Sequence, residues 1–378
     1  MFSSVKNFLH RHRRKFIISG AVFGGFYILT SYLQKRLREW QEKEAKKFFD
    51  MTRKKQHFES TERTCNQTVV SMSKIVTESI LSAINTEEIV KKLQEKDISA
   101  EQKLDLWEQM KIMIFTRICV LVYALCILQV ILKIQLNVIG GYLYRDSMCE
   151  GQPFINNELQ AKYLSLCHHF VGTGVEDLIK QIEETVKRVV EPVSLKKKIT
   201  LQEVEQMFWT IRTILTSDIK DGDPIRKMVH YFIGHGPRID GAELDTLVKE
   251  TMDILESEEV ISITTASVSC GFSSVVDEVA NLFASKPVPT TKNHLEVVEK
   301  VVTNGALKLG TDVATDPFVD INKVEIYFVK LLPVINELIT KNNCKGNTSI
   351  PDLLTQQFTL NEKFKLLGAN IYEVFSSI

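Results

Sequence analysis

The sequence lacks the short signatures that most often announce chemistry. It contains no phosphate loop, no G-x-G-x-x-G, no G-x-S-x-G and no H-E-x-x-H, so nucleotide handling, serine hydrolysis and zinc proteolysis have no visible machinery. C-x-x-C is absent as well. Its seven cysteines (65, 119, 126, 149, 167, 270, 344) are an odd number spread thinly over 378 residues, which predicts a reduced compartment and no disulfide framework. Cys119 and Cys126 stand seven apart in an apolar run and read as packing residues. The eight histidines show no ligand spacing. The adjacent pair His168-His169 would point its rings to different sides of a helix, so no metal and no cofactor is expected. Ser217–Asp223 resembles a calcium loop only loosely, because Met228 stands where the bidentate Glu belongs. Gly234-His235-Gly236-Pro237 is a turn signature. These absences predict a protein that is not an enzyme.

No sign of charge dominates. Lys+Arg and Asp+Glu both number 47, which removes the case for a general nucleic-acid binder. The balance hides an asymmetry: residues 1–60 hold 14 basic and 5 acidic side chains, a net of +9 against −9 in the remainder. A basic leader on an acidic body points to a targeting or membrane-contacting end.

Within that leader, residues 16–33 (FIISGAVFGGFYILTSYL) carry no charge and lie between Arg11–Lys15 and Lys35–Arg38. As a helix they reach about 27 Å, enough for a thin bilayer. No small-residue cleavage site follows Tyr32-Leu33. The expectation is an uncleaved single-pass anchor in the lipid bilayer, from Phe16 through Gly20, Gly24, Gly25 and Tyr27 to Leu33, behind a short basic segment (1–15). The Gly20-x-x-x-Gly24 spacing fits weak self-association in lipid. Cysteine usage places residues 34–378 in the cytosol, where the acceptor patterns Asn66-Gln67-Thr68 and Asn347-Thr348-Ser349 stay unmodified.

A charged juxtamembrane helix (34–57) should follow, with Leu37, Trp40, Phe48 and Phe49 among its charges. From residue 58 on, apolar residues recur at helical spacing, first as Val69, Met72, Val76, Ile80 and Ile84. Similar stripes run through 156–190, 199–216, 242–258, 291–308, 320–340 and 352–376. Val260–Val268 is rich in β-branched residues yet has no hairpin partner, and most prolines fall between the stripes. The fold expected is all-α: one elongated bundle of long helices behind the anchor. Ser99 is a good N-cap, and from there to Gln135 the chain has neither Pro nor Gly, until Gly140-Gly141 ends the pattern. Ile118–Leu128 is apolar all round; with Arg117, Gln129 and Lys133 beside it, the segment reads as a buried core helix rather than a second span.

Several stretches taken together resemble the peroxisomal biogenesis factor 3 family. They include Asn7-Phe8-Leu9 with the basic cluster, Gly24–Leu29, His57–Ser60 through Arg63–Asn66, Leu106-Trp107-Glu108, Phe115-Thr116-Arg117, Gln135–Tyr142 and Ala369–Ser376, with Val193–Lys196 between. The resemblance implies a membrane-anchored docking factor of peroxisomes. Its helical cytosolic domain would bind peroxisomal biogenesis factor 19, the soluble receptor and chaperone for peroxisomal membrane proteins, and so promote their insertion. It carries the family's anchoring tryptophan onto Trp107, and further contact positions onto Leu93 and Lys330. Helical spacing adds Lys103, Leu104, Met110, Lys111 and Ile114 to the neighbourhood of Trp107, an indole beside Leu and Met with lysines to meet a partner's acids. Two other classes remain open: a multi-spanning transport component with Arg117 in its pathway, and a passive organelle tether binding other adaptors.

Overall fold

A computed structural model describes residues 2–95, 98–149, 151–217, 222–234, 241–284, 323–340 and 349–377, without the side chains of residues 2–26 and 28. These residues are helical apart from connections and one pair of two-residue strands. Two compact units divide the chain, Met1–Glu59 and Ser60–Ile378.

The first unit is helix. Helix α1 (Phe2–Ala83) runs without a break through residue 59 and supplies its remaining residues to the second unit. The helix is continuous across the expected boundaries at 15, 33 and 57, and the division between the two units falls between Glu59 and Ser60.

The second unit is organised by α3 (Ala100–Met148). Ser99 starts it with a reciprocal capping box: its hydroxyl accepts from the Gln102 N–H at 3.2 Å, and the Gln102 side chain accepts from the Ser99 N–H at 3.1 Å, which satisfies two end groups at once. Beyond Met110 almost every side chain of α3 is buried. Around it pack α2 (Thr86–Gln94), α4 (Asn157–Ser165), α6 (Val175–Val190), α9 (Ala242–Leu255), α10 (Glu258–Ala284), α11 (Phe328–Thr340), α12 (Ile350–Thr359) and α13 (Glu362–Ser376). The short α5 (Cys167–His169) leads into α6 through a π-helical turn, Phe170–Gly174, while α7 (Leu201–Ser217) and α8 (Met228–Ile233) pack on α6. The expected stripe of α1 faces inward, with Val69, Val76, Ile80 and Ile84 buried and Met72 packed against them.

Three features depart from the sequence reading. The Gly140-Gly141 pair does not stop α3, which continues to Met148. A Cβ at Gly140 would stand 2.7 Å from the Thr61 methyl, and one at Gly141 would stand 2.6 Å from the Phe375 Cβ. The glycines therefore mark close approaches of α1 and α13 to α3, and the missing side chains are what permits them. The β-branched run Val260–Val268 is helical, inside α10. Burial recurs there at Val260, Ile261, Thr264 and Val268, so packing outweighs β propensity. The hydroxyls of Thr264 and Thr265 donate back to the carbonyls of Val260 and Ile261 at 2.6 and 2.8 Å. Finally, β1 (Lys198–Ile199) and β2 (Ile326–Tyr327) form an antiparallel pair, Lys198 opposite Tyr327 and Ile199 opposite Ile326. Strands this short leave no periodicity to read. The expected stripe at 291–308 lies outside the described residues.

Gly141→Val should force α13 away from α3 and lower stability by about 1–3 kcal/mol, the usual cost of overpacking. Thermal unfolding reads it; an unchanged Tm would show that α13 does not seat at this glycine.

Candidate functional site

The long helix carries cations where none can be solvated, and each has a structural partner. Lys111 is fully buried, and its ammonium donates to the carbonyls of Val193 and Glu191 at 2.7 and 3.2 Å, with Glu108 as counter-ion. Those carbonyls end α6, so Lys111 serves as its C-terminal cap. Arg117 is also fully buried. It donates to Ile84 O at 2.6 Å and Leu81 O at 3.0 Å, the free carbonyls at the end of α1. On its other side it reaches Thr86 Oγ1 at 2.6 Å, Glu87 Oε2 at 3.1 Å and Asn336 Oδ1 at 3.2 Å, on α2 and α11. One guanidinium thus joins four helices, using its fork of donors. Lys133 completes the set, pairing with Glu62 at 2.6 Å and Asn66 at 3.3 Å on α1.

These contacts decide how the predicted site residues stand. Trp107 is half-buried and packed on the core, Lys103 is half-exposed, and Leu104 is 49% exposed. These three form a surface patch on the first turns of α3. Met110, Ile114 and Leu93 are buried at 2%, 0% and 6% exposure; they support that end of the bundle from within. Lys111 differs from the expected rim cation, because capping α6 takes its charge inside. Lys330 is exposed on α11, two residues after Phe328, whose ring stands 5.8 Å from Phe115. Among the described residues no hydrogen bond or ion pair ties Lys330 to the Trp107 patch. The sequence reading missed Glu108 as the partner of Lys111, although their i,i+3 spacing is a signal for it. It also missed the capping role of Arg117, whose only signal is a cation inside an apolar run.

Of the anchor positions, Phe16, Gly20, Gly24 and Gly25 have side chains outside the described residues, on helical backbone, while Tyr27 and Leu33 are exposed. Two helices among the described residues are long and apolar enough to cross a membrane, α3 and α10. The apolar window of α3 is wholly buried against its own chain, that of α10 44%. Asn66 sits in mid-helix, bonded to Lys133; Asn347 and most of the loops at 217–223 and 234–237 lie outside the described residues. The six described cysteines are free, and the described residues hold no cluster of three or more metal-capable side chains. Burial pushes the Cys65 thiol up to about 11, with Lys133 opposing, so this thiol stays protonated and unreactive at neutral pH.

The arrangement defines an all-α protein built round one buried helix, with an aromatic patch at that helix's solvent-facing end. The Peroxin-3 family model matches residues 7–102, 95–153 and 145–373. The human peroxisomal biogenesis factor 3 is 34% identical over 404 residues, covering 100% of this chain and 98% of that protein. The bovine protein of that name is 33% identical over 398 residues with the same coverage, and the Arabidopsis thaliana peroxisome biogenesis protein 3-2 is 22% identical over 333 residues, 79% of this chain and 91% of its own length. The chain belongs to the Peroxin-3 family, a family of peroxisome biogenesis factors rather than of enzymes. The match extends through 145–373, including residues 148–320, where the sequence reading found little beyond Val193–Lys196.

Arg117→Met should cost about 3–5 kcal/mol, because the carbonyls of Leu81 and Ile84 and the Glu87 carboxylate lose their partner; denaturant titration measures it. Partial burial alone would raise the Glu87 pKa, yet the Arg117 bond and charge outweigh it and hold the carboxyl below its ordinary 4.5. A depressed folded-state value means stabilisation present above pH 4.5 and lost as pH falls through the folded-state value. Between pH 5 and about 3, Glu87→Gln should therefore lose less stability than the parent. Parallel pH curves would show that the pair contributes nothing.

Proposed function

We propose that this chain is a membrane-anchored docking factor for the soluble receptor of peroxisomal membrane proteins, peroxisomal biogenesis factor 19. The reading places the anchor at residues 16–33 in the peroxisomal membrane, with residues 34–378 in the cytosol. The observation that carries it is the patch at the start of α3: Trp107 half-buried on a rigid floor, with exposed Leu104 and half-exposed Lys103 beside it. A tryptophan held by its packed edge loses little conformational freedom when a partner covers its free edge, which is how aromatic anchors come to dominate an interface. An amphipathic helix of the receptor lays its apolar face on Trp107 and Leu104 while an acidic residue meets Lys103. Lys330 offers a second cation on α11. The docked receptor releases its cargo next to the bilayer into which it inserts.

The buried state of Lys111 sharpens the test. In a titration against the receptor's N-terminal helix, Trp107→Ala should weaken binding by at least ~2 kcal/mol without lowering Tm. Lys111→Met should lower Tm, and Trp209→Ala, 58% exposed on α7, should change neither. Undiminished affinity in Trp107→Ala would move the docking site elsewhere.

A further inference from the structure

In the first unit, one face of α1 is apolar and exposed among the described residues. Leu29, Leu33, Leu37, Trp40, Phe48 and Met51 are 55–65% exposed. Their order along α1 repeats a 4-3-4 spacing, so that Leu33, Leu37 and Trp40 recur eleven residues on as Glu44, Phe48 and Met51. An eleven-residue repeat is about 3.67 residues per turn, which keeps a seam nearly straight along the helix and lets two helices wind gently right-handed. This seam is about 33 Å long.

We propose that the seam is where a second copy of this chain docks, in parallel. Three observations choose that occupant. First, the helix is unbroken from Phe2 through residue 59, so a bilayer that takes residues 16–33 covers only the start of the exposed seam, Leu29 and Leu33. If residues 16–33 span the membrane, the reading on which this step rests, Trp40 stands about 10 Å and Phe48 about 22 Å past Leu33, beyond a headgroup layer of ~5–8 Å. Second, the 4-3-4 spacing continues backward through Leu29 to Phe26 and Val22, so the repeat runs from the anchor into the juxtamembrane helix in one register. Third, the flanks differ. Arg36, Lys43, Lys47 and Lys54 line one side of the seam; Gln34, Gln41, Ala45 and Thr52 line the other. In a parallel pair unlike flanks meet, basic against neutral, whereas an antiparallel pair would set basic against basic. Parallel is also the only arrangement open to two chains anchored from one side of a membrane. Glu44 is the polar break in the seam, 3.4 Å from its own Lys47; a polar group at one such position fixes register at a cost in stability. By helical spacing Gly20 and Gly24 fall on the opposite side of the helix, so this interface is separate from any glycine contact in lipid.

Oxidative cross-linking of the full chain in liposomes tests it, with Cys149, Cys270 and Cys344 replaced by Ser. Leu37→Cys, on the seam, should give a disulfide-linked dimer, and Arg38→Cys, turned away from it, about tenfold less. Adding Trp40→Glu with Phe48→Glu should lower the Leu37→Cys product about tenfold, and Glu44→Leu should raise it. Equal linking at 37 and 38, or none at either, overturns the proposal. So does a fluorophore at Phe48→Cys that is quenched by chain-brominated lipid, since the bilayer would then cover the part of the seam that should stand clear of it. Chain that fails to float with the liposomes refutes the anchor reading alone; the same Leu37→Cys and Arg38→Cys pair in detergent then decides the seam.

Discussion

The second unit depends on burying one helix on all its sides. A helix apolar all round has no face to offer water, so every neighbour must be brought against it. That requirement places the surrounding helices, and it explains the Gly140-Gly141 pair: α1 and α13 must come closer than any side chain at those positions would allow. The same requirement creates a polar problem. Helices that end against a buried helix turn their last carbonyls toward a dry interior, where an unpaired acceptor costs about 1–3 kcal/mol. The chain meets this by placing cations on the central helix itself. Lys111 caps α6, Arg117 caps α1 and ties α2 and α11 to it, and Lys133 holds α1 further along through Glu62. Lys111 and Arg117 therefore set where two neighbours end along α3, and Lys133 fixes α1 against it earlier in that helix.

This is also why α3 carries the composition of a transmembrane segment without needing a membrane. Its apolar window buries completely against its own chain, and its buried charges are engaged, Lys111 and Arg117 at helix ends and Lys133 with Glu62 in mid-α1. A transport pathway through Arg117 would need that guanidinium free to meet a passing solute; it is instead engaged by five oxygens from three other helices and the turn between two of them.

Much of this was readable before the fold. The Ser99 cap, the stripe from Val69 to Ile84, the apolar run Ile118–Leu128 and the packing role of Cys119 and Cys126 follow from local rules, because capping and helical periodicity act over a few residues. What stayed hidden was long-range. Nothing near Gly140 says that Thr61 lies opposite, and nothing near Lys111 says that α6 ends at its ammonium. Such facts depend on segments 80 residues apart, and helical spacing assigned Lys111 to the surface for want of them. The patch at Trp107 was legible in part: spacing put Leu104 and Lys103 beside it, and only packing could separate those two from Met110 and Ile114, which point inward.

The division between outward and inward residues at this end of α3 has a mechanical consequence. Lys111 lies one turn past Trp107 and holds the end of α6, while Leu93 and Met110 are packed in the common core. The indole therefore rests on a floor fixed by buried contacts, and only its outer edge and Leu104 remain to be covered. A surface of that kind is preorganised. Under the proposed docking, ordering costs would fall on the incoming helix rather than on this surface, so affinity could come from few residues. It also separates two kinds of damage. Losing the indole removes contact area and leaves the bundle standing, whereas losing Lys111 frees the end of α6 and loosens the floor itself, so the two changes reach the same patch by different physical routes.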